Sequence, residues 1–180
     1  MVYKIFLLLY YSRKYIYLMK NMQLFIMRHG QASENFREDF QRPLLEEGCK
    51  EVSTIATWLS TSGITFDHIL VSPFVRAQQT ARIINAENSP DSSLSTVDII
   101  TPSGRAEQVH DYIIELLHSS SIENMLIVSH MPLVSYLTAA LTFDKACPIF
   151  QTAGVAQIDY DKQKMFGNIV NFVAPCDMIA

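Results

Sequence analysis

The sequence predicts a single α/β domain: a mostly parallel central sheet, helices on both faces, and an antiparallel hairpin at the C-terminal edge. Three observations carry that expectation. Short apolar-rich runs at residues 22–27, 66–71 and 125–128 read as buried strands of a parallel sheet. The segments between them repeat apolar residues at three- and four-residue steps, the period of a helix with one buried side. Near the C-terminus, two strand-like runs (154–160 and 165–173) flank Asp161-Lys162-Gln163-Lys164, the pattern of a hairpin. Strands alternating with helices make a parallel core, and the hairpin then belongs at an edge.

Size and composition fit one domain. The chain has 180 residues, 49% of them hydrophobic, enough for a sizeable core. A net charge of −4 carries neither the basic footprint of a nucleic-acid binder nor a polyacidic tail, so no nucleic-acid partner is expected. Cys49, Cys147 and Cys176 are odd in number, widely spaced and without a CxxC pair. They read as small core residues of a protein in a reducing cytosol. No zinc, EF-hand, P-loop or dinucleotide fingerprint is present, so neither metal nor cofactor is expected.

Residues 1–21 differ from the rest. They hold Lys4, Arg13, Lys14 and Lys20, no acidic residue, and many Ile, Leu, Phe and Tyr. The apolar run 5–11 is too short to span a bilayer, and no small-residue cleavage site follows it. Two readings stand. Either an upstream start was chosen in error, with Met22 or Met19 the true beginning, or the segment is a basic amphipathic tail lying on a membrane surface. The first is preferred because Met22 opens a complete strand. Membrane contact is expected only under the second, and the domain is taken as 22–180.

The first strand ends in Arg28-His29-Gly30, with glycine free to bend the chain. Polar residues 31–42 follow as an active-site loop, punctuated by Pro43. Leu45, Cys49, Val52, Ile55, Ala56 and Leu59 then give one helical face, which Gly63 ends. The second strand, 66–71, runs into Ser72-Pro73, read as N-cap and first turn of a helix from Phe74 to about Asn85. Residues 86–95 read as loop, 97–100 as a short strand, and Thr101-Pro102-Ser103-Gly104 as a turn. Val109, Tyr112, Ile113, Leu116 and Leu117 form the next helical stripe. Strand 125–128 ends in Ser129-His130, and Met131-Pro132 opens a helix with Leu133, Leu137, Ala140 and Leu141 on one side.

Three strand ends therefore share one pattern: an apolar run, a polar residue of catalytic type, then a turn or helix start. Parallel strands put these ends on one rim, where two arginines (Arg28, Arg76) and two histidines (His29, His130) converge. The helix opening at Pro132 would aim free N–H groups at an anion there. Such a group suits phosphoryl transfer without metal. Guanidiniums orient the phosphoryl group, His29 attacks phosphorus, and His130 donates to an equatorial oxygen. Taken singly, His29 reads as a strand-end histidine bonded to backbone, Arg76 as a solvated helix residue and His130 as a cap or core histidine. Three matched strand ends weigh against those readings together.

On these residues the chain resembles the histidine phosphatase, or phosphoglycerate-mutase-like, superfamily. Arg28-His29-Gly30 matches its signature, Ser72-Pro73-Phe74-Val75-Arg76-Ala77 with Gln79-Thr80 its second motif, and Ser129-His130 its third. The resemblance spans residues 22–172 and is nearest to the small bacterial phosphohistidine phosphatases. It implies a covalent phosphohistidine at His29 and a phosphate pocket of Arg28, Arg76 and His130. It also implies a substrate such as a phosphohistidine-bearing phosphotransfer domain of a phosphorelay. Arg42, before Pro43, lies in a motif shared with the small phosphatases and stands as a phosphoryl or acidic-partner contact. Asn35 matches an asparagine that contacts phosphate in mutase-like relatives. For both, the competing reading is a polar residue on a solvated loop.

Mutase-like relatives carry a general acid between the second and third motifs. Glu87, Glu107 and Glu115 fall in that interval without a convincing acid motif, and Asp98 is a further candidate. A phosphohistidine substrate tolerates the lack, because imidazole titrates near pH ~6.5 and is protonated far more readily than an alkoxide. The expected function is thus a phosphohistidine phosphatase. A phosphatase for small phosphate monoesters and a non-catalytic phosphoprotein-binding module are the alternatives.

Overall fold

A computed structural model describes residues 21–35 and 37–178. The expectation of a mis-assigned start or a membrane-surface tail lies outside these residues, Asn21 excepted. In chain order the elements are β1 (Met22–Arg28), α1 (Glu46–Thr61), β2 (His68–Val71), α2 (Val75–Glu87), β3 (Ser93–Thr96), α3 (Ala106–Ser119), β4 (Asn124–Ser129), α4 (Leu133–Leu141), β5 (Val155–Asp161) and β6 (Phe166–Val173). Single 3₁₀ turns lie at Asp39–Gln41 and Pro175–Met178.

The six strands form one sheet in the order β3-β2-β4-β1-β5-β6. The first four run parallel, and the β5–β6 hairpin joins β1 antiparallel and closes that edge. Alternate residues of each central strand serve opposite layers. Leu24, Ile26, Leu70, Met125 and Ile127 pack with α3 and α4, while Phe25, Met27, Ile69, Val71, Leu126 and Val128 pack with α1 and α2. That is why the strand sequences are apolar at consecutive positions instead of alternating. Each fully buried aliphatic side chain contributes roughly 1.5–3 kcal/mol relative to exposure, so β1 and β4 anchor the sheet.

The helices follow their predicted stripes. Val52, Ile55, Ala56 and Leu59 of α1 are buried, although Leu45 stands as N-cap and is exposed. The helix ends in a Schellman arrangement: Ile64 N–H donates to the Leu59 carbonyl, Gly63 N–H donates to Ser60, and Gly63 takes φ +68°.

Three local expectations are corrected. The strand predicted at 97–100 is instead Ser93–Thr96, because β3 is an edge strand with no buried residue and Leu94 as its single apolar one, which gives no apolar run. Val97 and Ile100 are buried from the turn that follows. Ser72 does not cap α2; Phe74 holds the N-cap position, and the Ser72 hydroxyl points to His130. Likewise α4 starts at Leu133 with Pro132 as N-cap.

Candidate active site

The ladder of parallel strands carries straight on into the site. Arg28 is in register with Ser129, His29 N–H donates to the Ser129 carbonyl at 3.0 Å, and Ser72 N–H donates to Val128 at 3.1 Å. The ends of β1, β2 and β4 therefore meet on one rim of the sheet. Arg76, in the first turn of α2, is carried to the same point. Gly30 is not needed there for an unusual backbone angle. A Cβ on Gly30 would lie 2.5 Å from the Gly48 carbonyl oxygen, and one on Gly48 would lie 2.0 Å from that of Gln31. The two glycines let the loop behind His29 lie directly against α1.

His29 is 8% exposed, and both of its ring nitrogens are engaged. Nδ1 lies 2.7 Å from the Gly30 carbonyl, which can only accept, so Nδ1 carries the proton. Nε2 is then the lone-pair nitrogen, and the Arg76 Nε–H points at it from 3.1 Å. Burial, followed by the charges of Arg76, Arg28 and Arg42, outweighs the Gly30 bond and pushes His29 down to about 4. At neutral pH it is an uncharged imidazole with a fixed tautomer, the form a nucleophile requires.

His130 is 1% exposed, and its ring centroid is 5.0 Å from that of His29. Its Nε2 lies 2.7 Å from Ser72 Oγ, whereas its buried Nδ1 has no hydrogen-bond partner among the described residues. Burial first, then the neighbouring His29 and arginines, pushes it down to about 2. The Phe74 ring meets this histidine edge-to-face with centroids 4.9 Å apart, and the Arg76 guanidinium lies 4.9 Å over the Phe74 ring.

Arg28 donates from Nη1 to the Phe150 carbonyl at 2.8 Å, and its buried Nε is likewise without a partner. Arg28 Nε and His130 Nδ1 are thus two buried nitrogens in the site with no hydrogen-bond partner among the described residues. Burial lowers the Arg28 pKa, and the Glu51 carboxylate opposes that effect.

Arg42 joins the group through Asp39. Its Nε donates to the Ser33 carbonyl at 2.7 Å and its Nη1 to Asp39 Oδ1 at 3.1 Å, while Asp39 Oδ2 accepts from Arg76 Nη2 at 3.1 Å. Asn35 is not brought in. It is exposed, and its hydrogen bonds are backbone ones to Ser33. Among the general-acid candidates, Glu87 accepts from Ser53 on the outer surface of α1 and α2, and Glu107, Glu115 and Asp98 are exposed. No hydrogen bond or ion pair joins any of the four to the histidines among the described residues.

Several residues that hold the site escaped sequence reasoning. Glu51 accepts from Gln31 N–H at 2.8 Å and from the Thr152 hydroxyl at 2.7 Å, tying together two loops beside Arg28. It sits on the polar side of the α1 stripe, where nothing in the pattern distinguishes it. Thr80 takes the Gly30 N–H at 3.2 Å, and Gln79 takes the Leu44 N–H at 2.7 Å. Both belong to the quoted Gln79-Thr80 pair, so the motif carried them without disclosing what they do.

Comparison with known proteins gives the family and the fold. Residues 24–99 match the histidine phosphatase superfamily (branch 1). The phosphohistidine phosphatase SixA of Escherichia coli K12 is 34% identical over 157 residues, which cover 87% of this chain and 96% of that protein. A SixA homolog of Haemophilus influenzae is 39% identical over 151 residues, 79% of this chain and 91% of its own length. The structure of the protein histidine phosphatase SixA complexed with tungstate aligns with a TM-score of 0.83 at 34% identity, over 87% of this chain and 99% of that one. An α-ribazole-5′-P phosphatase from Escherichia coli, at 20% identity and a TM-score of 0.65, shares the fold. With relatives 34% and 39% identical along most of its length, the chain belongs to the histidine phosphatase superfamily.

Proposed function

We propose that the chain is a phosphohistidine phosphatase acting on phosphorylated histidines of signalling proteins in the cytosol, without metal, through a phosphohistidine formed on its own His29. The observation that carries this reading is the fixed tautomer of His29: Nδ1–H is held by the Gly30 carbonyl and Nε2 faces Arg76. Support for the substrate comes from the 34% and 39% identical relatives, both named as phosphohistidine phosphatases or homologs of one. The cytosolic placement is supported by the three free cysteines, and no described helix is long and apolar enough to cross a membrane.

The steps follow from the geometry. The phosphoryl group of the substrate enters between Arg28, Arg76 and Arg42, whose guanidiniums balance its charge through paired N–H···O contacts. The Nε2 lone pair of His29 attacks phosphorus, the P–N bond of the substrate breaks, and its imidazole departs with a proton from water. With the Ser72 hydroxyl donating a hydrogen bond to His130 Nε2, His130 Nδ1 keeps the ring hydrogen. It donates a hydrogen bond, without transferring the proton, to an equatorial phosphoryl oxygen as charge builds there. Water next attacks phosphorus on His29, releasing inorganic phosphate and restoring the neutral imidazole. No carboxylic acid enters these steps, in keeping with a leaving group that titrates near pH ~6.5.

Side-by-side turnover of a phosphohistidine protein and a panel of aliphatic phosphate monoesters tests the substrate. The reading predicts a clear preference for phosphohistidine. A preference for the monoesters would reassign the protein to the small-molecule phosphatases, and binding without turnover would make it a phosphoprotein-binding module.

A further inference from the structure

Asp39 lies on the 3₁₀ turn Asp39–Gln41, which has no buried residue, yet it makes the densest set of ionic contacts in the pocket. Its carbonyl oxygen accepts from Arg76 Nη1 at 2.7 Å and its Oδ2 from Arg76 Nη2 at 3.1 Å, so one residue takes both terminal nitrogens of that guanidinium. Its Oδ1 takes Arg42 Nη1 at 3.1 Å. The remaining nitrogen of Arg76, Nε, is on His29. Arg76 itself is 4% exposed and cannot reach round Asp39 to a second anion.

From this arrangement we infer that Asp39 is a resident competitor for the phosphoryl site. It is an internal anion that holds Arg76 and Arg42 together until the phosphoryl group displaces it. The inference rests on the reading that Arg76 binds the phosphoryl group. A phosphoryl group offers more acceptor oxygens than one carboxylate and matches the same guanidinium fork, so it replaces Asp39 contact for contact. The displacement costs little packing, because no residue of the turn is buried and the Asp39 side chain is 46% exposed. The Phe40 ring, 5.2 Å from that of Phe74, is the turn's contact with the pocket wall. A proton-donor role for Asp39 fits poorly. Partial burial pushes its carboxyl up, but hydrogen bonds from Arg42 and Arg76 outweigh that and hold it below the usual carboxylate range, so it is ionised at neutral pH. The device also favours the true substrate. A singly charged carboxylate gains no more from Arg76 and Arg42 than Asp39 already does, whereas a phosphoryl dianion does gain.

A competitor and a brace make opposite predictions, and calorimetric titration of the full-length protein with tungstate, a phosphate-like oxyanion, separates them. Asp39→Asn keeps the shape and the backbone contact but removes the charge; Asp39→Ala removes the side-chain contacts as well. If Asp39 competes, both variants bind tungstate about three- to tenfold more tightly than the wild type, in line with the modest strength of half-exposed ion pairs. KM for a phosphohistidine protein falls in the same direction. Equal or weaker binding by both variants overturns the inference and makes Asp39 a brace. Arg76→Ala is the control for the reading beneath it. Loss of tungstate binding in Arg76→Ala keeps the phosphoryl pocket standing whatever Asp39 does, whereas wild-type binding in that variant overturns the pocket and the competitor together.

Discussion

The strand-borne side of the pocket and its loop-borne side differ first in burial. His29, Arg76 and His130 are 8%, 4% and 1% exposed, while the side chains of Arg42 and Asp39 are 24% and 46% exposed. The first group hangs from the ends of β1 and β4 and the first turn of α2, all continuous with the two apolar layers. The second group rides on residues 31–42, where only Ala32 is buried among the described residues. Burial removes water from the histidines and keeps them neutral, and it fixes their rings to within hydrogen-bond tolerances. The exposed loop instead holds charges that are screened and can shift. The strand side is therefore assigned to the chemical step, and the loop side to admitting and releasing the charged group.

Substitutions that respect or violate this division test it. The largest effect belongs to His29→Ala, which removes the nucleophile and lowers kcat by about 10⁴-fold or more. Next comes Arg76→Lys. It keeps one charge but loses the paired N–H fork and the contact to His29 Nε2, with an expected loss of about 10²–10³ in kcat/KM. Ser72→Ala is the sharper probe of the strand side. It leaves the His130 tautomer unset, so kcat falls about tenfold or more with KM little changed; a fall confined to KM would break the division. On the loop side, Arg42→Ala is expected to raise KM about tenfold with a smaller change in kcat, and Asn35→Ala to change either by less than about twofold. A kcat loss for Arg42→Ala as large as that of Arg76→Lys would erase the distinction.

The strand side was legible in the sequence and the loop side was not, for a physical reason. Burial on both faces makes β1 apolar from Leu24 to Met27 and β4 from Met125 to Val128 without alternation, and that density marks where each strand ends and hence where Arg28, His29 and His130 sit. Loop contacts form between residues distant in sequence and leave no periodic trace. Asp39 meets Arg76 across 37 positions, and Glu51 meets Thr152 across 101. β3 was missed for a related reason, since this edge strand of Ser93-Leu94-Ser95-Thr96 buries no side chain and needs no apolar run. Ser72-Pro73 shows the opposite failing. The pair has the composition of a helix start, but the buried hydroxyl serves a histidine 58 residues away.

Acid pH offers a smaller effect with a definite sign. His29 and His130 are neutral when folded, with pKa values lowered to about 4 and about 2, but titrate near ~6.5 when unfolded. Between those values the unfolded chain binds more protons than the folded one, so stability falls as pH drops below ~6.5. The slope reaches up to about 1.4 kcal/mol per pH unit for each histidine. Denaturant titrations between pH 7 and 5 are expected to show the loss, and replacing His130 by Asn to make the slope shallower, with His29 and the partly buried His68 and His110 carrying the remainder. On the proposed mechanism the acid limb of kcat/KM should lie near pH 4, not near 6.5, because it is His29 of the free folded protein that must stay uncharged.

The central claim is a covalent phosphoryl bond on His29 Nε2. Rapid acid-free quenching of the wild-type protein during turnover of a radiolabelled phosphohistidine protein, followed by peptide mapping, tests it directly. The account predicts acid-labile, base-stable label on the peptide containing His29, absent in His29→Ala. Turnover by His29→Ala, or label on any other residue, would contradict it.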